Sequence, residues 1–302
     1  MSKPQPMRVL ITGAGGQLGH ALMQAAWPAS FRVTALDRTA LDLREPDSIR
    51  AALDIHAPDL IVNAAGYTAV DRAETEPNDA FAVNAAGAGD LAIAARAAGA
   101  ALIQVSTDYV FDGAKGEPYL EADAAAPINA YGVGKRAGEA AVLAAHPGAV
   151  VVRTAWLYSG GPTDFVGKVL ARAARGEALT VVDDQRGSPT HVADLADALI
   201  RIGQRVTEPG APSGLFHFAG AGGATWCDLA EAAVALWAER TGCEPPVIQP
   251  IKTRDWPTAA RRPADTRLSS RKIAEVFGVE ARHWRDMLVP AVEAWIEREG
   301  RA

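Results

Sequence analysis

Tyr131 and Lys135 lie four positions apart and are residue types that together can deliver a proton to a substrate. On a helix this spacing places both side chains on one face, one turn apart. A free phenol has a pKa near ~10, and a neighbouring ammonium lowers that pKa because it favours the phenolate. Lys135 would therefore make Tyr131 a better acid–base catalyst at neutral pH. The structural alternative is a tyrosine that packs in the core with its hydroxyl at the surface.

A polar segment precedes this pair along the chain. Residues 101–105 predict an apolar strand, which leads into Thr107 and Asp108. The hydroxyl of Thr107 could hydrogen-bond the oxygen that Tyr131 protonates and so fix the position of the substrate. The long polar loop 111–119 follows, and loops of this size at the edge of a sheet commonly carry function. This loop could cover the substrate.

The start of the chain predicts a strand, a glycine turn and a helix. The β-branched residues 7–12 are followed by Gly13, Gly16 and Gly19. Such a turn lets the backbone approach a pyrophosphate and directs a helix N-terminus at the phosphates. A second predicted strand ends at Asp37, 18 residues after Gly19. A carboxylate at this place can accept hydrogen bonds from both ribose hydroxyls of a dinucleotide.

The choice between NADH and NADPH stays open at this stage. Arg38 follows Asp37 directly and could pair with a 2′-phosphate. The small residues 64–66 end a third predicted strand and would let the nicotinamide half lie against the backbone, although tight packing explains them equally. The candidate cofactor-binding residues are Gly13, Gly16, Gln17, Leu18, Gly19, Asp37, Arg38, Asp42, Leu43, Ala64, Ala65, Gly66, Tyr67, Thr68, Val105, Tyr131 and Lys135.

Strands and helices alternate through the first half of the chain, which predicts a parallel sheet with helices on both faces. We expect a Rossmann-like doubly wound α/β sheet with a smaller C-terminal α/β substrate lobe. The dinucleotide-binding lobe would comprise residues 1–155, and the chain would re-enter it near 179–205. Residues 156–302 would form mainly the substrate-binding lobe. Two local predictions are one long buried helix over 77–98 and Thr190 as the N-cap of a following helix.

Composition and charge exclude several classes of partner. Of 302 residues, 49% are hydrophobic and 22% are charged, which is typical of a soluble globular protein. The formal net charge is −6 and the basic residues are scattered, so we expect no nucleic-acid or anionic-membrane partner. The apolar run 91–105 is interrupted by Arg96 and is too short to span a bilayer.

The cysteines and the N-terminus favour a cytoplasmic location. Cys227 and Cys243 are isolated from each other and from any metal-ligand spacing, which argues against a disulfide scaffold or a structural zinc. Residues 1–6 are polar, with no apolar segment of a signal peptide behind them. A reducing cytoplasm fits both observations.

Seven segments of the chain carry motifs of one known family: 12–19, 63–71, 105–113, 131–139, 153–158, 184–190 and 262–268. Together they resemble the extended short-chain dehydrogenase/reductase family, and within it the reductases of dTDP-4-dehydrorhamnose. The resemblance covers nearly the full length of the chain. It implies an oxidoreductase that uses NADPH or NADH to reduce the C4 ketone of dTDP-4-dehydro-β-L-rhamnose to dTDP-β-L-rhamnose, the last step of dTDP-L-rhamnose biosynthesis.

The resemblance also implies roles for individual residues. Tyr131 would protonate the C4 oxygen, Lys135 would lower the pKa of Tyr131 and hold the nicotinamide ribose, and Thr107 would position the carbonyl. Asp108 and Trp156 would contact the sugar, although Trp156 could instead serve packing alone. The arginine-rich segment 261–267 could bind the diphosphate or form a solvated loop.

One departure from the family concerns metal. Some of these reductases are metal-linked dimers that use carboxylates at places where this chain has Ala21 and Ala193. Alanine offers no oxygen ligand to magnesium, so we expect no metal here, and the chain could be a monomer or a homodimer.

Three rival functions share parts of this pattern. A sugar-nucleotide dehydratase needs a further acid–base pair, and its relatives carry Asp-Glu after the threonine, whereas Asp108 is followed by Tyr109. A 4-epimerase needs no further catalytic residues, and only the loops 185–190 and 262–268 favour a reductase over it. A regulatory cofactor-binding subunit is disfavoured because the threonine, tyrosine and lysine of the site are all intact.

Overall fold

The computed structural model of the chain describes residues 5–208 and 210–299. Helices and strands alternate through most of this length. The strands are β1 (Met7–Thr12), β2 (Phe31–Leu36), β3 (Leu60–Asn63), β4 (Ala101–Thr107), β5 (Val150–Thr154), β6 (Leu157–Tyr158), β7 (Leu179–Val182), β8 (Arg186–Gly187), β9 (Thr190–His191), β10 (Gly214–His217), β11 (Ala224–Thr225) and β12 (Ile248–Ile251). The α-helices are α1 (Gln17–Gln24), α2 (Pro46–His56), α3 (Arg72–Thr75), α4 (Pro77–Phe81), α5 (Ala88–Ala97), α6 (Ala130–Ala145), α7 (Phe165–Ala174), α8 (Val192–Val206), α9 (Trp226–Thr241), α10 (Arg271–Phe277) and α11 (Trp284–Glu299).

Six parallel strands form the central sheet, in the order β10-β5-β4-β3-β1-β2. Strands β3 and β5 are buried along their whole length, as expected for parallel strands covered on both faces. The predicted doubly wound sheet is therefore confirmed. The strand order reverses between β1 and β3, and ligands of such sheets bind outside the carboxyl ends of the strands at this point.

Alternate residues of the strands point into two apolar cores, one on each face of the sheet. On one face, Val9 and Ile11 of β1 share a core with Leu22 of α1 and Leu199 of α8. On the other face, Leu10 of β1 shares a core with apolar residues of α2, α5 and α6. Burial of these side chains stabilises each helix on the sheet, by roughly 1.5–3 kcal/mol for each fully buried large residue. The helix that carries Tyr131 is thereby fixed on the second face.

A third core lies outside the central sheet. The parallel pair β7 and β12 packs with α7, α9 and α11, around large side chains that include Leu170, Trp237 and Trp295. Strand β7 thus belongs to this core, whereas α8 packs on α1 and β10 joins the central sheet. The division into lobes at residue 155 stays a prediction. No helix of the described residues has the length and apolarity that a membrane span requires.

The helix predicted over residues 77–98 is interrupted by a π-helical turn at Ala82–Gly87, between α4 and α5. This turn brings the Asn84 side chain inward, where it accepts from the Tyr67 amide and donates to the Tyr67 carbonyl, both at 2.9 Å. The prediction of one continuous helix was therefore wrong. The predicted burial was also wrong for Phe81 and Ile93, which are exposed. A π turn of this kind often marks a functional region.

The predicted N-cap of α8 was wrong by one residue. His191 caps the helix, because its Nδ1 accepts from the Ala193 amide at 3.3 Å. Thr190 lies in β9, and its hydroxyl donates to the Ser188 carbonyl and accepts from the Gly220 amide. These two contacts, of which that with Gly220 is long-range, outweigh the local capping preference of threonine.

The close approach of α6 to the π turn gives a stability prediction. A Cβ at Gly138 would lie 1.9 Å from the Asn84 carbonyl oxygen, so Gly138→Ala should lower the free energy of unfolding by about 1–3 kcal/mol. At Gly134 a Cβ would find its nearest neighbour at 3.6 Å, so Gly134→Ala should be neutral or stabilising by roughly 0.5–1 kcal/mol. Urea unfolding of both variants measures the difference. Equal stability of the two would contradict the packing argument.

Candidate active site

Helix α6 presents Tyr131 and Lys135 to the end of β4. Asn129 begins the helix, since its Oδ1 accepts from the Gly132 amide at 2.8 Å. The predicted helical spacing of the pair is confirmed. Tyr131 is hydrogen-bonded to Thr107, and the Lys135 ammonium donates to the Val105 carbonyl at 2.7 Å. The three proposed catalytic side chains therefore meet at one edge of the sheet.

Burial governs the protonation of this pair. It raises the pKa of Tyr131 to about 12, although the hydrogen bond with Thr107 offsets part of the rise. It lowers the pKa of Lys135 to about 8, against the opposing effect of the Glu139 charge. Lys135 is not among the groups that shift Tyr131, so the expected lowering of the Tyr131 pKa is not found. The phenol is protonated at neutral pH, which is the state that a proton donor needs.

The turn after β4 holds a buried carboxyl group. Asp108 is 2% exposed, and its Oδ1 accepts from the Thr107 hydroxyl at 3.1 Å. Its Oδ2 accepts from the hydroxyl of Thr266, a residue that sequence reasoning did not single out. Burial raises the pKa of Asp108 to about 7. Both oxygens are thus engaged within the protein, and the predicted contact of Asp108 with the sugar stays a prediction.

A buried ion pair lies one helical turn after Lys135. Glu139, one turn after Lys135 on the same face of α6, is 1% exposed and binds Arg153 of β5 through two hydrogen bonds of 2.7 Å. The Ser106 hydroxyl donates to the same carboxylate at 2.7 Å. Sequence reasoning assigned no role to Glu139, although its spacing from Lys135 was a usable signal. The pair fixes α6 against β4 and β5.

The predicted glycine turn and the end of β3 lie against each other. Gly13 has a φ of +73°, and a Cβ there would lie 2.7 Å from the Ala65 backbone. Beneath them, the Thr12 hydroxyl donates to Asn63, which donates to Gln104, across the ends of β1, β3 and β4. A Cβ at Gly66 would lie 3.9 Å from the Lys135 Nζ. The structure therefore brings the glycine turn, residues 64–66 and Lys135 to one cleft.

The N-terminus of α1 fits the pyrophosphate of a dinucleotide. Gly16 caps the helix without a side-chain hydrogen bond, and its first turn holds no acidic residue. The space around Gly15 is open. The free amides of this turn, including those of Gln17 and Leu18, can therefore donate hydrogen bonds to an anion. The Leu18 side chain itself packs in the core, so only its backbone could contact a cofactor.

The residues predicted for the adenosine half lie on the loop after β2. Asp37 is exposed, and hydrogen bonds from Thr39 and the Ala40 amide lower its pKa, so it is ionised as a ribose acceptor requires. Arg38 is exposed beside it. Asp42 pairs with Arg44, and the Leu43 side chain is 4% exposed in the core.

The other predicted cofactor residues lie on the loop after β3. There the Tyr67 hydroxyl donates to Glu76 at 2.6 Å, and Thr68 is exposed.

Trp156 lies beyond β5 in a strained position. Its φ is +44°, a conformation that costs about 1–3 kcal/mol in a residue with a side chain. Its ring stacks on Trp226 at 3.5 Å, and a Cβ at Gly187 would overlap it. Trp226 was not predicted, and it in turn donates to Gln185 at 3.2 Å. The stack fixes Trp156, which remains half-exposed for a substrate contact.

Two arginines of the segment 261–267 form ion pairs with carboxylates. Arg262 forms a two-fold ion pair with Asp71, and Arg267 pairs with Asp265. Arg261 is exposed, and its side chain has no partner among the described residues. Of this segment, Arg261 is therefore the residue free to bind a diphosphate.

The described residues contain no group of three or more histidines, cysteines, aspartates or glutamates that could hold a metal. Ala21 lies on α1 and Ala193 in the first turn of α8. The expectation of a metal-free enzyme stays a prediction.

Comparison with known proteins places this site in a family. A family model described as RmlD substrate binding domain matches residues 7–296. The chain belongs to this family. The resemblance that the sequence motifs indicated is confirmed, since the chain is 42% identical over 299 residues to dTDP-4-dehydrorhamnose reductase of Streptomyces griseus, covering 99% of this chain and 97% of that one.

Solved structures agree with this RmlD-family assignment. The dTDP-4-dehydrorhamnose reductase of Clostridium acetobutylicum superimposes with a TM-score of 0.88 at 34% identity, over 95% of this chain and 99% of that one. That of Bacillus anthracis, solved in complex with NADP, gives a TM-score of 0.87 at 32% identity, over 97% of this chain and all of that one (100%).

The buried ion pair beneath the RmlD-family site gives a second stability prediction. Arg153→Met should lower the free energy of unfolding by about 3–5 kcal/mol, because it leaves the Glu139 carboxylate buried without its partner. Arg136 is the matched control: it is 44% exposed and lies 3.7 Å from the same carboxylate. Arg136→Met should change the free energy by less than about 1 kcal/mol. Denaturant unfolding compares the two, and a small effect of Arg153→Met would show that α6 does not depend on this pair.

Proposed function

We propose that this chain reduces the C4 ketone of dTDP-4-dehydro-β-L-rhamnose to dTDP-β-L-rhamnose with NADPH or NADH, the last step of dTDP-L-rhamnose biosynthesis. The observation that carries the proposal is the meeting of Tyr131, Thr107 and Lys135 beside an uncapped helix N-terminus, at the carboxyl edge of the sheet. The likeness to a reductase of this name over 99% of the chain supports the same substrate.

The cleft offers a distinct group for each part of a nicotinamide cofactor. The amides after Gly16 would hold the pyrophosphate, and Asp37 would accept from the ribose hydroxyls. Residues 64–66 would lie against the nicotinamide half, with Lys135 positioned to bind its ribose. When bound, the cofactor supplies the hydride.

The chain itself supplies the proton and the orientation of the ketone. Tyr131 is protonated and would donate to the C4 oxygen as negative charge develops there. Thr107 would fix that oxygen beside the phenol. Trp156, held by its stack on Trp226, would form one wall for the sugar. Arg261 would bind the diphosphate.

The wider setting is part of the same proposal. We expect the enzyme to act in the cytoplasm as a monomer or homodimer, without nucleic acid or membrane as a partner. A 4-epimerase would use the same three catalytic residues but would consume no cofactor overall. A regulatory subunit would bind the cofactor and turn nothing over.

The test is the absorbance of the reduced nicotinamide. Purified protein is mixed with freshly generated dTDP-4-dehydrorhamnose and with NADH or NADPH in parallel, without added metal. Loss of absorbance that depends on the sugar supports the reductase and ranks the two cofactors. No loss, with or without magnesium, refutes the proposal and leaves the epimerase and the regulatory subunit.

Removal of the proton donor should separate turnover from binding. Tyr131→Phe should lower kcat about 10²- to 10⁴-fold, because only the donated proton is lost. Its dissociation constant for NADPH, followed by fluorescence, should stay near the wild-type value. Tyr109→Phe is the matched control, since its ring lies 5.9 Å from that of Tyr131 but has no proposed catalytic role. Turnover of Tyr131→Phe at the wild-type rate would show that another group is the acid.

A further inference from the structure

The hydroxyl of Thr107 lies at the centre of a small hydrogen-bonded group. It faces the Asp108 Oδ1 at 3.1 Å, the Tyr109 amide at 3.2 Å and the hydroxyl of Tyr131. A threonine hydroxyl has one hydrogen to donate and two lone pairs that accept. Its single hydrogen, which now points at Asp108, therefore cannot serve a substrate oxygen at the same time.

The ionised form of Asp108 would take the hydrogen of Thr107. A carboxylate only accepts, and a charged acceptor binds about twice as strongly as a neutral one, so it takes the single hydrogen of Thr107. The Tyr109 amide donates to a lone pair of the same hydroxyl. In this state Thr107 has no hydrogen left to donate to a ketone.

The protonated form of Asp108 would release this hydrogen. A proton on Oδ1 donates to Thr107, while the Thr266 hydroxyl continues to donate to Oδ2. Thr107 then accepts from Asp108 and from the Tyr109 amide, which fills both lone pairs. Its own hydrogen is free to face the substrate oxygen that Tyr131 protonates.

The surroundings of Asp108 favour the protonated form. The side chain is 2% exposed, and no lysine, arginine or histidine of the described residues forms a hydrogen bond or ion pair with it. A buried carboxylate without a cationic partner is strongly disfavoured. The titratable groups that face it are the phenols of Tyr109 on its own turn and Tyr131 on α6; the charges of Arg262 and Asp71 act on Tyr109.

We propose that Asp108 is a positioning residue whose protonated carboxyl donates to Thr107 and thereby frees the hydroxyl hydrogen of Thr107 for the substrate ketone. This inference rests on the proposed reduction. It goes beyond it because it assigns Asp108 a task that requires no contact with the sugar, and because it gives Thr266 a part in setting the protonation of the site.

A pH profile of the reduction tests the proposal. The pKa of Asp108 is raised to about 7, so the protonated form is present below that pH and is lost as the pH rises through it. Wild-type kcat/KM should therefore fall above about pH 7, by about tenfold for each further pH unit. Lys135, with a pKa lowered to about 8, loses its charge in a second step at higher pH.

Asp108→Asn imitates the protonated acid at every pH. Its amide nitrogen can donate to Thr107 while its oxygen accepts from Thr266. Whatever its absolute rate, the pH profile of the variant should lose the fall near pH 7 and retain only the later one. Thr266→Val removes a hydrogen bond that stabilises the carboxylate, so its first fall should move to higher pH.

Three outcomes would overturn the proposal. The pH profile of Asp108→Asn could superimpose on that of the wild type, or Asp108→Asn could be inactive at every pH although it binds NADPH normally. The first fall in the profile of Thr266→Val could also fail to move to higher pH.

Infrared spectroscopy of the substrate-free protein gives a readout without turnover. A protonated-carboxyl band that titrates near neutral pH and vanishes in Asp108→Asn supports the proposal, and its absence contradicts it. Failure of all forms to oxidise NADPH or NADH would instead refute the proposed function, and the infrared titration would still decide the state of Asp108.

Discussion

Helix α6 lies close enough to β4 for the Lys135 ammonium to reach the Val105 carbonyl at 2.7 Å, and the active site depends on this approach. Gly138 permits the close approach of α6 to the π turn on its other side, because a side chain there would collide with the Asn84 carbonyl. The buried pair of Glu139 and Arg153 then fixes the helix on the sheet. A displacement of α6 would separate Tyr131 from Thr107 and so disrupt the site.

The same approach explains the electrostatics of the cleft. Burial raises the pKa values of Tyr131 and Asp108 and lowers that of Lys135, so it pushes all three groups toward their neutral forms. A neutral phenol is a proton donor, and a neutral carboxyl group can donate a hydrogen bond as well as accept one. Only Lys135 has a carboxylate behind it that opposes the loss of its charge. The neutral phenol can therefore donate the proton that reduction of a ketone requires.

The local elements could be predicted from the sequence because their signals are local. The bounds of β1 and β2 follow from β-branched runs that end at glycine or at a charged loop, and the spacing of Tyr131 and Lys135 placed both on one helix. Sequence also placed the glycine turn, Asp37 and Thr107 at the carboxyl edge of a parallel sheet. The family resemblance added the substrate.

What the sequence could not show arises from contacts between distant residues. Thr266 and Asp108 are 158 positions apart, and Arg262 and Asp71 are 191 apart, so no local pattern predicts that they meet. The stack of Trp156 on Trp226 is of the same kind. The expected effect of Lys135 on Tyr131 failed for a related reason: the spacing gives the shared face, but burial, a property of the whole fold, determines the pKa.

In the proposed reaction a hydride reaches the sugar C4 directly while the chain supplies the proton to the oxygen. The most direct test uses NADPH that carries deuterium on one or the other face of the nicotinamide C4, with dTDP-4-dehydrorhamnose, and locates the label in the product by NMR. Deuterium is expected at the sugar C4 from one labelled face, and none at that carbon from deuterated water. Label at C4 that comes from the solvent, or a sugar product formed without transfer from either face, would contradict it.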